Sequence, residues 1–136
     1  MSHRHLLVGF SALVLAIACC AIVIAQAADQ PETVMITFRA KPGAEEQLAS
    51  VIARHYDTAK RLHLLRDDAP HVTVRVPDEG NSSYFVDIFT WRDGSVPDNA
   101  PKEILAIWQE MNRLTEKRGG HPGVDIVEVR ILNSKF

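Results

Sequence analysis

Cysteine is nearly missing from this 136-residue chain: Cys19 and Cys20 are the only two, and nothing after position 20 carries a thiol. That excludes a disulfide, a thiolate nucleophile and a cysteine-ligated metal from the remainder. Other metal patterns are missing as well. There is no His-Glu-x-x-His and no Asp/His cluster at ligand spacing, and His55 and His63 are too far apart for an i, i+4 pair. No phosphate loop, Walker motif or nucleophile elbow occurs. Gly119-Gly120-His121-Pro122-Gly123 is glycine-rich but follows a helical pattern, so it reads as a helix stop and turn. Basic runs are lacking too. The formal net charge is −2, which does not suit nucleic acid.

One long charge-free run exists, and it stands at the start. After His3, Arg4 and His5, residues Leu6 to Ala25 carry no charge, and Ala25-Gln26-Ala27 matches the small-x-small pattern of a secretory cleavage site. We read residues 1–27 as a signal peptide and expect an exported, periplasmic or secreted protein. An uncleaved membrane anchor is the main alternative, since such a run can span a bilayer. A lipid anchor on Cys19, after Ala16-Ile17-Ala18, is a weaker one. Without residues 1–27 the net charge falls from −2 to −3, because Arg4 is lost and no acid with it.

Residues 28–33 read as a polar, flexible lead, residues 34–132 as a single domain, and residues 133–136 as a tail. Val34 to Arg39 alternates as a strand, broken by Pro42-Gly43. A helix opens at Ala44-Glu45-Glu46, with acids where its dipole favours them. Its stripe is Leu48, Val51, Ile52, Tyr56, Ala59 and Leu62, and Lys60, Arg61 and Arg66 suit its C-terminal end. His71 to Val76 is a second strand, and the turn at 77–83 joins it as a hairpin to a third, Tyr84 to Trp91. Asp98 or Asn99 can cap a second helix with the stripe Ile104, Ile107, Trp108, Met111 and Leu114, stopped by Gly119-Gly120. Val124 to Leu132 is the last strand.

The order βαββαβ is the ferredoxin-like arrangement, an α+β fold with a four-stranded antiparallel sheet and two helices on one face. Val72, Val74 and Val76 form one apolar face of the second strand, and the third strand is apolar on both faces. An uncovered apolar sheet face predicts a partner, and a homodimer through that face is the economical one.

The third strand holds the chemistry. Side chains alternate, so Phe85, Asp87, Phe89 and Trp91 share a face, and a carboxylate sits in an aromatic row. Asp87 is either a base or polar anchor in an apolar cavity, or a structural acid paired with Arg75 or His71 across the hairpin. The register decides between these, and a slip of one residue reverses the faces. Trp91 can stack on a flat ligand or belong to the core. His55 is a cavity acid or base, or a satisfied histidine on the helix flank. Tyr56 offers a hydroxyl or packs. The candidate set is therefore Asp87 and His55 for catalysis, with Trp91, Phe89, Phe85, Tyr56 and Trp108 for a ligand. His71 and His121 read as surface by default.

Phe38-Arg39-Ala40-Lys41-Pro42-Gly43 before an acidic helix start, and Phe85 to Asp93, resemble the antibiotic biosynthesis monooxygenase-like domain over about residues 34–132. The resemblance implies a dimeric α+β barrel with a cavity between sheet and helices. It also implies cofactor-independent oxygenation of a small aromatic or quinol substrate, with Trp91 matching a cavity tryptophan. A non-catalytic ligand-binding or stress-related module of the same fold, or a purely structural dimer, is the alternative. Asp87 stands where the polyketide-oxidising members carry an asparagine. The haem-degrading members' first-strand asparagine aligns with Ile36, and residues 98–118 contain no histidine to match their haem ligand. Haem degradation is therefore disfavoured, and no cofactor is expected.

Overall fold

A computed structural model describes residues 30–132; the expected signal segment and the tail lie outside the described residues. Alternating strands and amphipathic helices give β1 (Glu32–Arg39), α1 (Glu45–Arg61), β2 (Val72–Pro77), β3 (Ser83–Trp91), α2 (Lys102–Leu114) and β4 (Val124–Glu128). The four strands form one antiparallel sheet in the order β2-β3-β1-β4. This is the expected α+β ferredoxin-like fold.

The register settles which side chains share a face. Val34, Ile36 and Phe38 pair with Phe89, Asp87 and Phe85, and Asp87 in turn pairs with Thr73. These residues look towards the helices, where Phe38, Phe89, Leu48, Ile52 and Ile104 are the large fully buried hydrophobics. Each such side chain contributes about 1.5–3 kcal/mol by leaving water. The opposite face carries the row Val72, Ile88, Met35, Val127, with Val74 and Val86 beside it. Val74 and Val127 are exposed. Arg54–Glu110 and Arg61–Glu103 ion pairs tie α1 to α2 on the surface, and exposed pairs of this kind contribute about 0–1 kcal/mol each.

Several boundaries differ from expectation for local reasons. β1 begins two residues earlier, so the lead is shorter: Glu32 and Thr33 pair with Trp91 and Thr90, and the two threonine hydroxyls meet at 2.8 Å. β4 stops at Glu128 instead of Leu132. Val129 N–H still donates to the Thr33 carbonyl, after which β1 has almost run out of residues to pair with. Neither Asp98 nor Asn99 caps α2. Residues 97–99 form a separate 3₁₀ turn, and Ala100, held extended by the following Pro101, divides it from the helix. α2 ends at Leu114, not at the glycines, because Thr115 is extended and bridges Ala40. Gly119 and Gly120, both at positive φ, instead make the turn that brings Arg118 and His121 together. Arg66 serves Asp68 in a two-pronged pair and not the end of α1.

Candidate active site

α2 packs along α1, and between α2 and the β1–β4 half of the sheet a cavity of about 280 Å³ remains. Its floor is the helix-facing side of β1, Val34, Ile36 and Phe38, continued by Val124 and Ile126 of β4. Trp91 closes one end from β3, and Trp108 and Met111 come down from α2. The polar lining is sparse: His55 from α1, Glu32 at the start of β1, and Asn112. Small-molecule sites are typically of this kind, apolar with a few placed polar groups.

His55 sits where α1 faces β3, only 1% exposed. The edges of Phe89 and Trp91 approach its ring, with centroids at 5.6 and 5.8 Å. Trp108 Nε1–H donates to His55 Nε2 at 3.0 Å. An indole can only donate, so Nε2 holds the lone pair and the ring proton sits on Nδ1. Nδ1 has no hydrogen-bond partner among the described residues. Burial, with a smaller contribution from nearby His71, pushes the imidazole down from 6.5 to about 4. It is therefore neutral at physiological pH, and it offers one N–H donor. Of the two expectations for this residue, a satisfied flank histidine does not fit: His55 is a core residue with one satisfied nitrogen.

Asp87 belongs to a neighbouring cluster. It is fully buried on the helix side of the sheet. One carboxylate oxygen accepts from Thr73 Oγ1–H at 2.6 Å and lies 2.9 Å from His71 Nε2; the other has no partner among the described residues. The Tyr56 ring stacks on His71, with centroids 3.5 Å apart and planes within 8°. Thus His71, read from sequence as a surface residue, is half-buried under α1 and holds the aspartate. Arg75, the other expected partner, goes to Glu46 and lies over the Phe85 ring. Asp87 does not line the cavity, and neither do Phe85, Phe89 or Tyr56. Phe89 supports the site from behind by packing edge-on against His55 and Trp91.

The structure thus brings His55, Trp91 and Trp108 together and sets the other four candidates aside. Glu32, Met111 and Asn112 were missed as lining residues. Glu32 was legible in principle, because it continues the alternation of Val34, Ile36 and Phe38 once the strand is started two residues sooner. A larger, more open groove of about 880 Å³ runs past Thr33, Thr90 and Arg66, but no candidate residue borders it, and its Arg66 is already held by Asp68. Among the described residues there is no group of three or more potential metal ligands, and no helix is long and apolar enough to cross a membrane.

Solved structures resemble this arrangement. A variant of SnoaB, a cofactor-independent oxygenase from Streptomyces nogalater, superposes with a TM-score of 0.56 at 19% identity, covering 76% of this chain and 95% of that one. A protein described as an antibiotic biosynthesis monooxygenase gives 0.54 at 14% identity, over 75% and 99% of the two chains. Rv0793 from Mycobacterium tuberculosis gives 0.53 at 14%, over 77% and 98%. The fold is that of the antibiotic biosynthesis monooxygenase-type proteins. At these identities the likeness carries architecture and not chemistry. No protein-family model matches the sequence, and no curated protein does.

Proposed function

We propose that this chain is a cofactor-independent monooxygenase-type protein that holds a small aromatic or quinol molecule in the cavity beside His55. The observation that carries the reading is the pairing of an aromatic-walled apolar cavity with one buried, unpartnered donor, His55 Nδ1. SnoaB, a protein of this fold, is described as a cofactor-independent oxygenase. A quinol supplies its own reducing equivalents. One atom of dioxygen enters the ring and the other leaves as water, so no external reductant is required. The protein's share is to orient the ring against the aromatic wall that Trp91 and Trp108 form, to exclude water, and to stabilise developing negative charge on a substrate oxygen. A neutral N–H donor in an apolar site suits that last task. Asp87 then acts as a positioning residue that holds His71 and β2 under α1, and not as the base.

We further propose that the protein is exported, on the strength of its charge-free N-terminal run, and that it pairs with a second copy through the outer sheet face around Ile88 and Met35. One observation favours a second reading, a binding module without turnover: among the described residues His55 is the only imidazole lining the cavity, and its lone pair is already occupied by Trp108.

Oxygen uptake with a panel of hydroquinones tests both. The oxygenase reading expects uptake by the intact protein and, with His55→Phe, a loss of roughly 10²-fold, as for removal of one oxyanion donor. Binding of the same quinols without uptake would put the binding module ahead.

A further inference from the structure

The cavity is electrostatically one-sided. Among the described residues Glu32 is its only acidic lining residue, and no lysine or arginine lines it. The even-numbered residues of β1 face the helices, so Glu32 follows Val34 into the cavity end and is set opposite Trp91 by the strand register. Partial burial raises the Glu32 pKa above its ordinary value, and two further carboxylates, Glu128 on β4 and Asp98 in the 3₁₀ turn, are close enough to add to it. None of the three has an ion-pair partner among the described residues. His55, the other ionisable lining group, is neutral and adds no compensating charge.

A cleft lined by one sign of charge with low-dielectric walls focuses the field and concentrates ligands of the opposite sign. The walls act in the same direction. Trp91 and Trp108 present rings whose centroids are 6.3 Å apart at 71°, and indole faces attract cations. A carboxylate ligand would meet Glu32 with no cation to receive it, and like charges brought together in a desolvated site cost binding.

We infer that the cavity selects phenolic or quinolic rings that carry an ammonium tail, with Glu32 as the anchor for that tail, and discriminates against rings that carry a carboxylate. This rests on the cavity being the ligand site, as proposed above, and names the substrate class of that site. Glu32 is a specificity residue: it touches the tail and takes no part in the reaction with oxygen.

Three probes with the same ring and different tails test it: tyramine, para-ethylphenol and para-hydroxyphenylacetate. The chain's two tryptophans both line the cavity, so their emission, excited on the red edge of the tryptophan band, reports binding directly. The expected order is tyramine, then para-ethylphenol, then para-hydroxyphenylacetate, with at least about tenfold between first and last, the low end of the enrichment such fields produce. In Glu32→Gln the spread should shrink to about twofold while para-ethylphenol affinity holds. If para-ethylphenol binds and the three affinities are equal, the charge selection is overturned and the cavity reading stands. If the order appears but Glu32→Gln leaves it intact, Glu32 is not the anchor. If none of the three binds, the cavity reading falls and the inference falls with it.

Discussion

Acidification should cost this fold about 3 kcal/mol through His55 alone. In the unfolded chain the imidazole takes a proton at its ordinary 6.5; in the folded protein it resists until about 4. Between those values the unfolded state binds more protons, so stability rises with pH across the window. The contribution is fully present above 6.5 and is lost as the pH falls to about 4. At roughly 1.4 kcal/mol per pH unit, a window of that width amounts to about 3 kcal/mol. The cause is structural and specific. His55 is 1% exposed, enclosed by Phe89, Trp91 and Trp108, and its Nε2 already accepts the indole N–H, so a second ring proton would have to displace that bond. Among the described residues no carboxylate is hydrogen-bonded to the ring to offset its charging.

Urea unfolding followed by far-ultraviolet circular dichroism, at several pH values from neutral to about 4, measures the loss. The informative quantity is the difference between the wild type and His55→Gln, which keeps an acceptor for Trp108 but does not titrate. Asp78 and Asp93, whose carboxyls are held below their ordinary range by Glu79 N–H with Arg118 and by Ser95 with Arg92, also weaken the fold in acid. Their contribution is common to both proteins and cancels. The wild type should lose about 3 kcal/mol more than the variant over the window. Parallel curves would show that His55 charges freely in the folded state, and the reasoning about its enclosure would be wrong.

Two further substitutions probe the frame around the site. Asp87→Ala strands Thr73 and His71 and should cost about 2–3 kcal/mol in denaturant unfolding, whereas Asp87→Asn, which still offers one carbonyl oxygen to both donors, should cost clearly less; equal losses would mean that the charge, not the acceptor, is what the cluster needs. Gly123→Ala places a Cβ 2.9 Å from the Glu116 backbone nitrogen and 3.1 Å from Thr115 Cβ, where main chain cannot swing aside, so a loss of about 1–3 kcal/mol is expected in thermal unfolding.

The architecture was legible because each element carries its own period. Leu48, Val51, Ile52 and Ala59 mark the buried face of α1, and all four are in the core. The shared face of Phe85, Asp87, Phe89 and Trp91 also follows from alternation and is found as expected. What local pattern could not supply was everything that depends on a neighbour. β1 reaches Glu32 because Trp91 is there to pair with it, and β4 ends at Glu128 because only the first two residues of β1 lie beyond its partner Val34. The caps of α2 were misplaced because Pro101 constrains the residue before it and Thr115 is claimed by Ala40. The same limit applies to the site. Strand alternation puts Asp87 and Trp91 on one face, but which of them meets empty space depends on where the helices lie across the sheet.

That placement explains why the carboxylate and the cavity part company. Thr73 opposes Asp87 on β2, and His71 continues the same face, so the outer half of the sheet, under α1, offers two donors to a buried acid. Tyr56 then covers His71. The strands of the β1–β4 half, under α2, offer no such donors: opposite Val34, Ile36 and Phe38 stand Glu128, Ile126 and Val124. An acid in the outer half can be satisfied by neighbours and serve packing. An acid in the inner half cannot, and Glu32 stays at the open end of β1, only partly buried and without an ion-pair partner among the described residues. His55 lies on α1 between the halves, buried and hydrogen-bonded across to Trp108 of α2. It is the one candidate catalytic residue from the sequence that lines the cavity, and its buried, uncharged ring makes it a hydrogen-bond donor rather than an acid.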